Sequence, residues 1–353
     1  GFKLTQDGPG PTGVSVRKLN PGLSKEEYRW YWLIKNNRTG DDYNGLMNAL
    51  TALGQSGLTF HTQTAPLLDT DGWLRSFTGP VTWAVGDNYA FGSQHNCLYY
   101  VKPDGRTLYI PWDMDFTASS GATASVAPNA ELNKLIGTLA GTAADDANRR
   151  AYYGYLLHMV DTGFNPGYLG RWMDHYTCFV NEDYRAGFMT FVTQREAYIR
   201  GQISAAVPVV TFQITTNGGN TYTEPNSTTV LAGDGWVNVS SIRLAGGEPL
   251  AVTWTDQDSW TVTLPVANGA NTFNLEARDG SGTVVGTDSI IVTGTGQGIG
   301  RAISELVLDL GGNLVMVERN PQTFADVAAA LAGDRTLAVQ GDVTDEAFCA
   351  SVV

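Results

Sequence analysis

Residues 289–293, Ser-Ile-Ile-Val-Thr, lie where two sequence patterns meet, and each pattern needs them as a strand. Upstream, short alternating runs rich in Thr, Val and Asn recur at Thr211–Thr215, Trp236–Val239, Leu250–Trp254, Trp260–Leu264, Thr272–Ala277 and Ser289–Val292. Turn signals separate them at Asn217-Gly218-Gly219, Gly246-Gly247, Asn268-Gly269 and Asp279-Gly280. Alternation with regular turn punctuation predicts an all-β sandwich over residues 206–291. Downstream, Thr293-Gly-Thr-Gly-Gln-Gly-Ile-Gly300 opens a helix over Arg301–Leu310. A strand at Asn313–Val317, a helix at Pro321–Leu331 and a strand at Thr336–Gln340 follow. Strands separated by helices predict a parallel βαβαβ half whose first strand is the run before the glycines. One strand cannot serve two sheets, so one of the patterns must give way.

The glycines after that run have a physical reason. Gly294, Gly298 and Gly300 permit a tight turn and let a pyrophosphate approach the helix amino terminus, beside Ile299. An acid, Glu318, stands 24 residues after Gly294. This segment, 292–353, resembles the start of a short-chain dehydrogenase/reductase, with a partial Rossmann fold. The resemblance implies that Glu318 binds the ribose hydroxyls, favouring NAD, while Arg319 leaves NADP open. It also implies that Asp342 and Val343 lie near the adenine. The sequence ends at Val353 before that family's Asn-Asn-Ala-Gly segment, its Ser and its Tyr-x-x-x-Lys, so the expectation is nucleotide binding without hydride transfer. The strand shared by two patterns, with no linker at the join, reads as a chimera of two reading frames and a fragment of each.

A second constellation lies at Gly86–Phe116, GDNYAFGSQHNCLYYVKPDGRTLYIPWDMDF. Pro103-Asp104-Gly105 between two short β runs predicts a hairpin. Asp87 precedes it, His95 and Asn96 stand at its mouth, and Asp113 and Asp115 follow it. Residues two apart on an extended segment share a face, so Asp113 and Asp115 can point at one ion. Carboxylate and amide oxygens suit a hard cation holding nucleotide phosphates. Singly, each residue has a plainer reading: Asp87 as a turn former or helix cap, His95 as a half-buried imidazole, Asn96 as a partner of backbone groups.

The stretch resembles the spore-coat protein H (CotH) kinase family. The resemblance extends to Lys25-Glu26-x-Tyr28-Arg29-Trp30, Asn37-Arg38 with Asp41-Asp42-Tyr43, Asp69-x-Asp71-x-Trp73-Leu74-Arg75, and Asn148-Arg149-Arg150-Ala151-Tyr152-Tyr153. It implies an atypical, secreted or surface-linked protein kinase using ATP and Mg²⁺, with Asp87 catalytic and Asn96, Asp113 and Asp115 at the metal. A kinase also needs a phosphate cover and an orienting Lys. Lys3, Lys18 and Lys25 are the only early candidates, Lys25 at the start of a helix, and no strand, Gly-rich turn and strand is read there. The expected domain, 1–205, is therefore a kinase-like unit without its amino-terminal lobe, and a weak or inactive phosphotransferase. Immunoglobulin-like modules accompany such domains in large extracellular proteins, and the sandwich resembles them. The alternatives are a non-catalytic surface module and an NAD-binding dehydrogenase fragment.

Composition bounds the rest. The 353 residues, 42% of them hydrophobic, suffice for a multidomain α+β chain: a mostly helical unit around a hairpin, a sandwich, and a partial parallel sheet. Within the helical unit, Ala151–Val160 reads as a helix buried on most sides. Tyr184, Phe188, Phe191, Val192, Tyr198, Ile199 and Ile203 read as the buried stripe of a long helix. With 35 acidic and 22 basic residues the net charge is −13, which disfavours nucleic acid and anionic membranes and would attract a basic protein substrate. No apolar run reaches the ~18 residues of a membrane span. Cys97, Cys178 and Cys349 form no spaced cluster, and Cys97 reads as a small buried hydrophobe.

Overall fold

A computed structural model describes residues 2–4, 24–92, 96–137, 143–267, 269–294, 304, 306–342 and 345–352. The chain is mixed α+β, with helices and several separate sheets.

The first sheet has the order β2-β1-β3-β4, built from β1 (Phe2–Leu4), β2 (Trp32–Ile34), β3 (Cys97–Val101) and β4 (Thr107–Pro111). The hairpin falls where the Pro-Asp-Gly signal puts it. Gly105 sits at φ +84°, and Asp104 accepts from the Arg106 N–H at 3.0 Å. The strand β1 was not read from the sequence. It sets Lys3 between Leu33 and Leu98 in the ladder, so the segment before residue 24 does supply a strand.

Helices α1 (Lys25–Tyr31), α2 (Asn44–Leu53), α3 (Gly57–Thr64), α4 (Thr70–Thr82), α5 (Ala130–Leu135), α6 (Ala143–Thr162), α7 (Pro166–His175) and α8 (Glu182–Ala206) accompany this sheet. Its centre is aromatic. Trp73 on α4 is fully buried, donates its indole N–H to the Thr107 carbonyl at 2.9 Å, and meets the rings of Phe77, Tyr89, Tyr99 and Tyr109. Burial pushes the Tyr89, Tyr99 and Tyr109 phenols well up, so they stay neutral. Cys97 is buried at the start of β3.

The long helix α8 buries Val192, Arg195, Ile199 and Ile203, while Tyr184, expected in the same stripe, is 60% exposed. Arg195 explains how a charge sits in that stripe. Its guanidinium donates to the carbonyls of Val81 (2.6 Å), Thr82 (3.3 Å), Ala122 (3.1 Å) and Ala124. The Val81 and Thr82 carbonyls are the last of α4, where a helix runs out of its own donors and a cation is favourable; Ala84 N–H also reaches Val81, at 3.1 Å.

Eight further strands form two four-stranded sheets over one shared core. They are β5 (Gln213–Ile214), β6 (Tyr222–Glu224), β7 (Thr228–Asp234), β8 (Ser241–Leu244), β9 (Thr253–Trp254), β10 (Ser259–Pro265), β11 (Gly269–Arg278) and β12 (Val284–Gly294). The orders are β5-β7-β10-β9 and β6-β12-β11-β8. Alternate residues turn inward: Leu231, Trp260, Val262 and Leu264 from one sheet, Ile242, Phe273, Leu275, Ile290 and Val292 from the other. Trp236–Val239, read as a strand, is a turn. Its carbonyls go elsewhere. Arg150 on α6 donates to Gly235 (2.7 Å), Trp236 (2.8 Å), Val239 (2.9 Å) and Gln257 (2.9 Å).

The contested strand goes to this two-sheet unit. β12 runs without a break to Gly294, antiparallel to β11 (Ile290 opposite Phe273, Val292 opposite Asn271) and parallel to β6. Burying Ile290 and Val292 in a formed core favours that side. The expected βαβαβ half is corrected accordingly. Among the described residues its sheet holds two strands, β13 (Leu314–Glu318) and β14 (Thr336–Gln340), parallel to each other. Residues 304 and 306–309 are helical, and α9 (Pro321–Ala330) and α10 (Glu346–Val352) follow. Met316 and Leu331 form the buried centre, with Leu308, Leu314, Phe324, Ala328 and Ala338 around them.

Candidate functional site

The mouth of the β3–β4 hairpin is organised by an asparagine that sequence reasoning passed over. Asn88 is fully buried. Its amide nitrogen donates to the carbonyls of Asn96 (3.2 Å) and Trp112 (3.1 Å), one from each end of the hairpin. Its amide oxygen accepts from the Tyr109 hydroxyl at 2.7 Å and the Ala90 N–H at 3.1 Å. A buried amide with all its polar atoms used fixes a single geometry. Trp112 N–H closes the ring by donating to the Asn96 carbonyl at 3.0 Å. The only sequence signal for Asn88 was its place next to Asp87.

On this frame Asn96 and Asp87 meet. Asn96 is 7% exposed and left-handed (φ 57°), a conformation Asn tolerates better than most residues. Its amide nitrogen donates to the Asp87 carbonyl at 3.0 Å and to Asp87 Oδ2 at 3.1 Å. Asp87 Oδ1 is buried and has no hydrogen-bond partner. An acceptor withdrawn from water with nothing to bind is unfavourable, and such atoms call for a missing cation or donor.

Asp113 and Asp115 do not complete the cluster. Both are exposed, and Asp113 takes a left-handed turn (φ 53°) just after Trp112. Among the described residues no group of three or more His, Cys, Asp or Glu is placed to hold a metal ion. The unpartnered Asp87 Oδ1 is an oxygen of the kind a hard cation takes, but the exposed Asp113 and Asp115 do not gather around it. His95 lies outside the described residues.

A second concavity was not legible in sequence. A cleft of about 430 Å³ lies between α4, α6 and the two-sheet unit, lined by Arg75, Arg150, Tyr155, His158, Asn238 and Trp254 among others. Arg75 stacks over the Tyr155 ring at 4.2 Å and donates to Asp71 at 2.8 Å, and the Tyr155 hydroxyl also donates to Asp71. Burial and that carboxylate push the Tyr155 phenol up to about 12. Arg150 packs on Trp254 at 3.1 Å, and burial pulls its pKa down to about 9, so it remains charged at neutral pH. These cations are already bound to protein groups, which makes the cleft a joint between the helices and the sheets.

The carboxyl-terminal residues fall in two groups. Glu318 ends β13 and accepts from the Asn320 N–H at 2.8 Å, and Arg319 reaches Asp342 beyond β14 at 3.2 Å. Gly294 ends β12, opposite Gly269 and beside Glu224. Gly298, Ile299, Gly300 and Val343 lie outside the described residues. A dinucleotide needs the glycine turn at the end of a strand adjacent to β13, so that pyrophosphate and ribose are reached together. In this arrangement that strand belongs to another sheet, and the residues do not fit the ligand as placed.

Comparison with known proteins bears on this last region alone. The family model described as short chain dehydrogenase matches residues 288–353. No curated protein and no solved structure matches the chain. No helix among the described residues is long and apolar enough to cross a membrane. What the chain is similar to, over that final segment, is a short chain dehydrogenase.

Proposed function

We propose that residues 288–353 carry a dinucleotide-binding unit of the short-chain dehydrogenase type, completed only when the strand before the glycines lies beside β13, with NAD favoured over NADP. The supporting observation is the pair of strand ends. β13 closes on Glu318 and β14 leads to Asp342, side by side at the carboxyl edge of a parallel sheet, where open α/β sheets take their ligands. The Glu318 carboxylate would accept from ribose hydroxyls. Arg319 is drawn onto Asp342, which favours an unphosphorylated ribose. Titration calorimetry of the full chain with NAD and with NADP tests this. Gly298→Val should abolish binding, and Glu318→Gln should weaken NAD about tenfold, roughly 1.4 kcal/mol. Binding indifferent to Gly298→Val would refute the reading.

A second reading rests on the orphaned Asp87 oxygen. Here the hairpin mouth is a Mg²⁺-ATP site of the CotH-like protein kinase kind. Asp87 would orient or deprotonate a protein hydroxyl, and Asn96 with Asp113 and Asp115 would hold the ion once the exposed carboxylates move in. A basic acceptor protein suits the net charge of −13, and a cell-surface setting, with the two-sheet unit as an immunoglobulin-like spacer, belongs to the same reading. Mg²⁺-ATP should raise the melting temperature of the native protein and not of Asp115→Ala. Equal protection of both would remove this reading.

A further inference from the structure

We propose that residues 288–294 are an exchangeable strand, for which the two-sheet unit and the carboxyl-terminal parallel sheet compete. Three observations bear on the exchange, and the first two each show a deficit in one arrangement that the other would repair. First, Ile290 and Val292 are 2% and 0% exposed inside the two-sheet core, but Ile291 between them is 41% exposed. A strand of an antiparallel sheet wetted on one face alternates apolar with polar residues, whereas a strand buried on both faces of a parallel sheet is continuously apolar. Ile290-Ile291-Val292 has the second pattern while occupying the first setting.

Second, the parallel sheet has an open edge. Leu314 N–H donates to Arg335 and the Glu318 carbonyl accepts from Gly341, both towards β14. By the alternation of an extended strand, Val315 and Val317 turn their N–H groups to the opposite side, where no strand pairs among the described residues. Apolar side chains stand on both faces of this sheet: Met316 on one, Val315 (56% exposed) and Leu337 (54% exposed) on the other. A strand apolar on both faces is what such a sheet lacks.

Third, the family match begins at residue 288, within β12, so the segment that resembles a parallel first strand is the one the two-sheet unit holds. The exchange itself involves no covalent step. The seven residues leave their partners on β11 and β6 and align along the outer edge of β13. The ligand consequence rests on the dinucleotide reading above: NAD would bind only the exchanged arrangement, and its apparent affinity would be reduced by the fraction of molecules in that state.

The test locks the strand and then loosens its present site. Asn274 and Ser289 are directly opposite each other with exposed side chains. Asn274→Cys with Ser289→Cys, in a Cys178→Ser and Cys349→Ser background, places a reducible disulfide across β11 and β12 at an allowed Cα separation. Leu275→Ala, at a 1% exposed position of β11 opposite Asp288, weakens the two-sheet core without altering any residue of the contested strand; Leu275→Val replaces it should that variant not fold. Amide exchange of Val315 and Val317, read residue by residue by NMR, decides. In the loosened protein, reduction should raise their protection at least tenfold over the oxidised form, because the freed strand pairs with them. Equal protection in both forms overturns the proposal, whatever NAD does. Protection that changes with reduction while NAD binds neither form upholds the exchange and discards the dinucleotide reading. NAD binding in the reduced form alone upholds both.

Discussion

Trp73 and Met316 are the centres of two α/β regions of one chain, and they sit in unlike surroundings. Around Trp73 the helical region buries Trp32, Phe60, Phe77, Tyr89, Tyr99 and Tyr109 at 2% exposure or less. Around Met316, itself 7% exposed, the described residues bury only Leu331 as well. The thinner region is the one a family model matches. A glycine turn with an acid at a set distance is a local signal that needs no large core to be read. A large aromatic core is a collective property that no short motif announces.

The largest effect should separate the two regions. Trp73→Ala removes a fully buried indole and one of the two donors to the Thr107 carbonyl, which keeps the Asp69 N–H, a loss of about 3–5 kcal/mol. Met316→Ala should leave the Trp73 region untouched. All nine Trp lie at or before Trp260, so Trp fluorescence in a denaturant titration reports the first regions and not the carboxyl-terminal one. If Met316→Ala shifts the fluorescence midpoint, the two regions unfold as one and the comparison fails.

Two buried arginines sharpen it. Arg195 ties α8 to α4 within the helical region, whereas Arg150 ties α6 to the two-sheet unit, each through four backbone carbonyls and with no carboxylate in the set. Arg150→Ala should cost about 3 kcal/mol, since several buried acceptors lose a charged donor together. It should also split a shared unfolding transition in calorimetry. Arg195→Ala should lower the helical transition without splitting it. Arg150→Lys should recover less than half, because an ammonium has three donors and no planar fork. A single, unsplit transition in Arg150→Ala would show that the apolar contacts around Val237 suffice to hold the joint.

How far the sequence reads through to this structure follows the same division. The hairpin was legible because Pro103-Asp104-Gly105 sets its own turn, and α8 was legible because its apolar spacing is local. Trp236–Val239 was misread because its alternation is strand-like while its carbonyls are taken by Arg150, more than eighty residues earlier. The place of Ser289–Gly294 could not be read at all, since both patterns accept it and only the depth of the waiting core decides. At the hairpin mouth the approach of Asn96 to Trp112 follows from strand register, whereas Asn96 meets Asp87 through the loop that Asn88 holds. The outward turn of Asp113 and Asp115 depends on a left-handed residue that no spacing rule specifies.

The smallest expected effect concerns charge. Asp69 caps α4 by accepting from Gly72 N–H at 3.3 Å and pairs with Lys102 of the hairpin at 2.9 Å, both side chains mostly covered. The Lys102 ammonium, with the Gly72 amide, holds its carboxyl below the ordinary carboxylate value. A lowered folded pKa means the unfolded chain binds the proton first. The stabilisation is therefore complete above the ordinary value near 4 and disappears as pH falls through the lower, folded one. Asp69→Asn keeps a capping oxygen and loses the charge, so at pH 7 it should cost about 0.5–1 kcal/mol, shrinking as pH falls through the lower, folded value. The corresponding pair in the thin region, Arg319 with Asp342, joins a 77% exposed guanidinium, and Asp342→Asn should change stability by less than about 0.5 kcal/mol at any pH. Urea unfolding of the three proteins at pH 7, 4 and 2 compares them. A deficit in Asp69→Asn that does not shrink between pH 7 and pH 2 would mean the carboxylate acts through its shape as a cap and not through its charge. A pH-dependent deficit in Asp342→Asn larger than that of Asp69→Asn would invert the ranking of the two regions.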